Sequence, residues 1–163
     1  MNIKSEYTLS TRLPFEEIIE RLSDISDPSI PASKAFWGVK NLNGKPFGGR
    51  INEEGFDIFK TYYRMNLHSS VMKGKFDRYP GRTEIHITSE LPKMTMIAFG
   101  LAVGIVLIPG LFIPYMASPF LFKVVGLLWL LWAFNAVTRK FRMESMAVEE
   151  LLKHMLEAQR LDD

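Results

Sequence analysis

Three histidines, at positions 68, 86 and 154, are the residues whose chemistry is most versatile in this chain. A zinc centre needs three or four such ligands converging on one point. If the segment 68–91 folds back around Asp77–Arg82, paired residue numbers sum to 159 or 160 and His86 faces Lys73 or Gly74, away from His68. His154 belongs to a later helical stretch, so no metal centre is expected. Cysteine is absent, which removes thiolate ligands, disulfides and cysteine nucleophiles together.

The other candidates for chemistry are as sparse. "HSS" at His68–Ser70 puts a base beside two hydroxyls, but neighbours on a strand point to opposite faces and cannot form a relay. Asp24, Asp27, Glu53 and Glu54 fall at helix ends and turns. "GKPFGG", Gly44–Gly49, is glycine-rich but lacks the spacing and the Lys-Ser/Thr of a phosphate loop. The expectation is a protein that is not an enzyme and uses no cofactor. For binding, the best cluster is Arg64 with Tyr62 and Tyr63, supported by Lys60 and Arg50 on the preceding strands. A guanidinium braced by tyrosine rings suits an anionic headgroup, a nucleotide or a partner's carboxylates.

The elements that would position these residues follow from periodicity. "EYTLSTRL", Glu6–Leu13, alternates as a strand. "PFEEIIERLSDI" has Pro14 at a helix start, two glutamates in its first turn and apolar residues at helical spacing. A loop at Asp27–Lys34 and a short strand around Phe36–Val39 come next. "FGGRINEEGFDIFK" reads as a β-hairpin turning at Asn52–Gly55, and 68–91 as a second one turning around Pro80-Gly81. "MESMAVEELLKHMLEAQ" is an amphipathic helix whose stripe, Val148, Leu151, Leu152 and Met155, is expected to pack on the sheet.

Charge divides the chain unevenly. It has 20 Lys and Arg and 18 Asp and Glu, yet Lys123 is the only one of them within Met94–Thr138. Those 45 residues would extend roughly 67 Å as one helix, about twice the apolar thickness of a bilayer. Two spans are therefore expected, near Met94–Leu111 and Phe120–Thr138, broken at Pro109-Gly110 and Pro114, with Pro119 opening the second. Lys123 would snorkel to the headgroups and Tyr115 would anchor the turn. Gly100 and Gly104 allow close helix approach, and Asn135 can hydrogen-bond across helices.

Lys93, Arg139, Lys140 and Arg142 flank the apolar region, so the positive-inside rule places both termini in the cytoplasm of a two-pass inner-membrane protein. The first thirty residues are too charged for a cleavable signal. A net charge of +2 gives no field that would favour nucleic acid.

"FGGRINEEGFDIFKTYYRMN", Phe47–Asn66, resembles small uncharacterised bacterial membrane proteins with a Gly-x-hydrophobic…Gly-Phe-x-Ile…Tyr-Arg-Asn signature. Gly49, Ile51, Gly55, Phe56, Ile58, Tyr63, Arg64 and Asn66 match it, and Met65 interrupts the Tyr-Arg-Asn run. The resemblance implies a strand meander followed by a two-helix hydrophobic segment, and it carries no catalytic residue.

The expected fold is α+β: a small, mostly antiparallel sheet with N- and C-terminal helices and a two-helix transmembrane hairpin inserted before the C-terminal helix. Its expected parts are a cytoplasmic domain at 1–92, the hairpin at 93–138 and the C-terminal helix at 139–163. The expected role is a membrane-anchored binding or scaffold domain whose partners are membrane lipid, a protein or a second copy. The competing roles are an oligomeric pore-forming effector and a lipid-acting enzyme. The apolar second span argues against the first, and the lack of a nucleophile–base pair against the second.

Overall fold

Tyr7, Leu9 and Thr11 alternate with exposed or half-exposed neighbours along the first strand, β1 (Lys4–Thr11), and point into the core. This computed structural model describes residues 4–35, 43–61, 70–112 and 119–161. Helix α1 (Phe15–Ile25) follows Pro14, whose fixed φ suits a helix entrance, and Glu16 and Glu17 complement the N-terminal dipole. Its Ile18 and Leu22, four apart, are fully buried.

Beyond β2 (Ser26–Asp27) and a short 3-10 turn at Ala32–Lys34 come two hairpins. The first joins β3 (Phe47–Ile51) to β4 (Gly55–Lys60). Its turn is held by Asn52 Oδ1, which accepts from the Glu54 and Gly55 amides. The second joins β5 (Val71–Tyr79) to β6 (Arg82–Glu90) through Pro80-Gly81, with Gly81 at φ +78°, a conformation glycine adopts without strain.

Helix α2 (Lys93–Phe112) and the 37-residue helix α3 (Pro119–Met155) follow, and β7 (Gln159–Arg160) closes the described chain. The seven strands form one sheet in the order β2-β3-β4-β5-β6-β1-β7. One face carries Leu9, Phe56, Ile58, Met72, Ile85 and Ile87, and it is covered by α1 and by Val148, Leu152 and Leu156 at the C-terminal end of α3. The C-terminal end of the described chain is tied down by four hydrogen bonds. Thr11 Oγ1 donates to the Leu156 carbonyl at 2.6 Å, Leu161 N to Thr8 O at 3.0 Å, and Arg21 to both Met155 O and the Glu157 carboxylate.

The α+β content is as expected, but the expected fold is overturned in its details. The sheet is mixed, because β2 runs parallel to β3. Among the described residues there is no two-helix transmembrane hairpin followed by a separate C-terminal helix. Among the described residues only α3 holds a stretch, Val124–Met155, long and apolar enough to cross a membrane, and the described apolar stretch of α2, Lys93–Ile105, is shorter than the roughly 20 residues that a crossing needs.

The expected break at Thr138 is absent for a physical reason. From Leu127 to Met155 the chain contains neither proline nor glycine, so the change from apolar to charged residues alters the surroundings of the helix and not its backbone. Likewise α2 runs through Pro109-Gly110 to Phe112. A proline removes one hydrogen bond from a helix without having to end it. The strand expected at Phe36–Val39 and the turn residue Tyr115 lie outside the described residues.

Candidate functional site

Few parts of this molecule leave large apolar side chains in the open, and α2 and α3 hold most of them. Ile105 is 72% exposed, Leu101 64%, Trp132 68% and Val125 61%. Only 11% of the most apolar window in Val124–Met155 is buried, so α3 is not a core helix that merely happens to be apolar. Its two ends behave differently: Val148 and Leu152 are sealed in the core, while Leu127, Leu128 and Leu131 are more than half exposed.

The two helices touch through Phe99 and Phe134, whose rings lie 5.4 Å apart. Beside this contact the small side chains Ala98, Ala102 and Ala133 leave a cleft of about 180 Å³, closed further by Leu130 and Val137. At its domain end lies Thr95, 4% exposed, whose hydroxyl has no hydrogen-bond partner among the described residues. Such a group ordinarily finds a partner when buried. Lys93, two residues before it, and Arg139, Lys140 and Arg142 on α3 are all exposed. None of the four pairs with an acidic side chain among the described residues.

The second concentration of polar groups is the outer face of the sheet. Glu90 accepts from Lys4 at 2.8 Å and Lys73 at 3.3 Å, and these cations, Lys4 first, hold its carboxyl below the ordinary glutamate range. Burial pushes the Asp57 carboxyl up, against the pull of Lys73 directly opposite on β5. Under the sheet, burial and then nearby Glu149 push the Tyr7 phenol up, although the Arg160 guanidinium over its ring works the other way. Arg160 also reaches Glu149 at 3.2 Å.

One arrangement on the outer face was missed from sequence. Asp77 Oδ2 lies 3.1 Å from His86 Nε2, and His86 Nδ1 lies 3.0 Å from Thr8 Oγ1. An acid, a base and a hydroxyl in line is the order that activates a nucleophile. Here the side chains of His86 and Asp77 stay 45% and 39% exposed. The strand amides around them are committed to the β1–β6 and β5–β6 ladders, which leaves them unable to stabilise an oxyanion. The arrangement required β6 to be in register with both neighbours. His86 stands opposite Lys75, not Lys73 or Gly74, because the turn is a tight two-residue one and partners sum to 161.

The residues expected to bind are only partly in view. Arg64, Tyr62, Tyr63 and His68 lie outside the described residues. Arg50 is exposed opposite Asp57, on the outer face, whereas Lys60 stands opposite Phe47 and, by alternation with Ile58, belongs to the other face. Three residues of strand also separate their levels by about 10 Å, so they do not form one patch. A Cβ at Gly100 would meet open space, so that glycine makes no close helix contact. Asn135 Nδ2 donates to Leu131 O within its own helix at 3.0 Å, and among the described residues it makes no hydrogen bond to α2. His154 is exposed, and no group of metal-ligating residues occurs among the described residues.

Comparison with known proteins returns no match to this chain among protein families, curated proteins or solved structures.

Proposed function

We propose that this chain is a non-enzymatic binding or scaffold protein, held at a membrane by the apolar part of α3 with α2 packed against it. The observation that carries this reading is the outward apolar surface of the two helices. Each fully buried Leu or Val is worth roughly 1.5–3 kcal/mol. A surface with Leu101, Ile105, Val125, Leu128 and Trp132 all at least 60% exposed therefore calls for a cover.

Lipid is the cover favoured by the distribution of charge. From Val124 to Thr138 the helix has no charged residue on any side, and cations begin at once at Arg139. A protein partner would ordinarily face one side of a helix, whereas lipid surrounds it. The same cations favour a cytoplasmic position for the sheet.

The non-enzymatic part of the reading rests on the exposed, flat setting of Asp77, His86 and Thr8, and the sheet face is left as the surface that meets a further partner. The test uses the full chain with Trp37→Phe, which leaves Trp129 and Trp132 as fluorophores, reconstituted in phosphatidylcholine with brominated acyl chains. Strong quenching is expected. A chain that is monodisperse without detergent and unquenched by brominated lipid would overturn the reading. If its mass is then that of an oligomer, a second copy provides the cover.

A further inference from the structure

Lipid accounts for the exposed apolar surface of α3 only as far as Thr138. Met143 and Met146 lie on the same helix about 7 and 12 Å nearer the sheet, beyond Arg139 and Lys140. The headgroup layer is only about 5–8 Å deep, so these side chains stand at or past its outer edge. They are nevertheless 70% and 63% exposed. In phase with them, in the apolar part of the helix, are Trp129 and Trp132. The steps from position 125 through 129, 132, 136, 139 and 143 to 146 alternate between four and three residues. At 100° per residue these positions fall within an arc of about 100°. The inward residues Leu130, Phe134, Phe141, Val148 and Leu152 cluster within about 40° on the opposite side, where α2 and the sheet lie. One stripe thus runs from membrane to water along the side of α3 that the described chain leaves uncovered.

We infer that this stripe is the seam of a parallel homodimer, in which α3 packs along α3 of a second copy about a two-fold axis normal to the membrane. The inference rests on the membrane reading above and adds to it a partner. The occupant must be apolar at two heights, in lipid beside Trp129 and Trp132 and in water beside Met143 and Met146. It must therefore cross the same boundary as a helix, at the same level. Copies inserted in one direction meet this requirement, because across a two-fold axis each residue meets its own counterpart. Alternating steps of three and four residues are the spacing by which helices pack in a left-handed pair. Val125, Trp129, Trp132, Met143 and Met146 are all more than half exposed. At roughly 100 Å² each, two copies bury about 1,000 Å², the size at which a specific interface begins. Ala136 lets the helices approach midway. Arg139 is the one charge within the stripe, level with the headgroups, where its stem can pack and its guanidinium turn outward to phosphate. Sliding one copy by a heptad would set it against the partner's Trp132, so it also fixes the register. The seam ends at Glu150, which pairs with Lys153 of its own helix.

The chain has no cysteine, so single cysteines report the seam without background. Met143→Cys, Met146→Cys and Leu151→Cys are each made in the full chain, reconstituted at low density in phosphatidylcholine, and treated with a short bismaleimide. Leu151 is also exposed but lies about 90° from the middle of the stripe. A product of twice the chain mass is expected at positions 143 and 146, and none above random collision at 151. Met143→Glu with Met146→Glu should raise the dimer dissociation constant about tenfold or more, read by native mass spectrometry over a dilution series in detergent. Both methionines are exposed in the single chain, so this variant should keep the protease resistance of its sheet.

Equal crosslinking at all three positions signifies collision and overturns the inference, and so does the absence of product at 143 and 146. An unchanged dissociation constant in the glutamate variant overturns it as well. The same cysteines crosslinked in native membranes should give the same product, and an adduct with a different protein in its place would identify another occupant and defeat the homodimer. A helix pair still leaves one edge of each indole in lipid, so quenching by brominated lipid in a chain that stays monomeric defeats this inference alone. Loss of quenching in a chain that is monodisperse without detergent defeats the membrane reading beneath it.

Discussion

Leu151 and Leu152 are adjacent in sequence and differ completely in surroundings, so truncating each in turn tests how α3 is joined to the sheet. Leu152 is fully buried between the sheet and α1, while Leu151 is 44% exposed. Removing a fully buried leucine down to alanine costs the lost transfer energy plus the cavity, about 2–5 kcal/mol. The same change at Leu151, which keeps nearly half its surface in water, should cost about 0.5–1 kcal/mol. With a urea dependence of about 2 kcal/mol per molar, the midpoint of Leu152→Ala falls by about 1–2.5 M and that of Leu151→Ala by less than about 0.5 M. Pulse proteolysis of the full chain in detergent reads the unfolded fraction of the sheet without depending on the apolar helices. Equal shifts, or no shift at Leu152, would mean that the C-terminal end of α3 does not cover the sheet, and the link between domain and apolar helix would have to be redrawn.

Glu90 supplies a pH dependence. Its carboxyl is held low by Lys4 and then Lys73, so its contribution is present above the ordinary glutamate range and disappears as pH falls through the lowered value. Glu90→Gln should flatten the acid limb of a thermal-stability profile, whereas an unaltered limb would show that these pairs do not act in solution. Gly74 lies under the ring of Phe56 on the neighbouring strand, with no room for a Cβ. Gly74→Ala should cost about 1–3 kcal/mol by overpacking, and Phe56→Leu in the same chain should relieve part of it. Strictly additive costs in the double variant would refute the cross-strand contact.

Local periodicity carried much of the secondary structure. The alternation through Tyr7 and Leu9, and through Ile85 and Ile87, gives inward faces that the core uses, and the 3.6-residue spacing of Ile18 and Leu22 gives the buried side of α1. What local patterns do not contain is pairing between distant segments. A two-residue strand such as Ser26–Asp27 has no period to detect, and its parallel partner begins twenty residues later.

The joining of the apolar segment to the C-terminal stripe was obscured because composition changes at Arg139 while helix propensity does not. Polarity was read as a boundary where only the environment changes. The Thr8–His86 contact spans 78 residues and depends on a register set by a tight turn, so each residue could be placed on an outer face but not beside the other.

The unbroken α3 makes the molecule sensitive to length at one place. Between Thr138, where the uncharged stretch ends, and Val148, the first residue of α3 in the main core, the helix buries Phe141 and Ser145 and fixes the phase of one end against the other. One inserted residue turns the sheet by about 100° relative to the apolar surface and lifts it by about 1.5 Å. Seven residues bring the faces back to within about 20° and displace the sheet by about 10 Å. Spacing in this stretch is therefore free to change only in steps of about two helical turns, as the pitch of a screw limits where a nut can stop with the same flat facing outward.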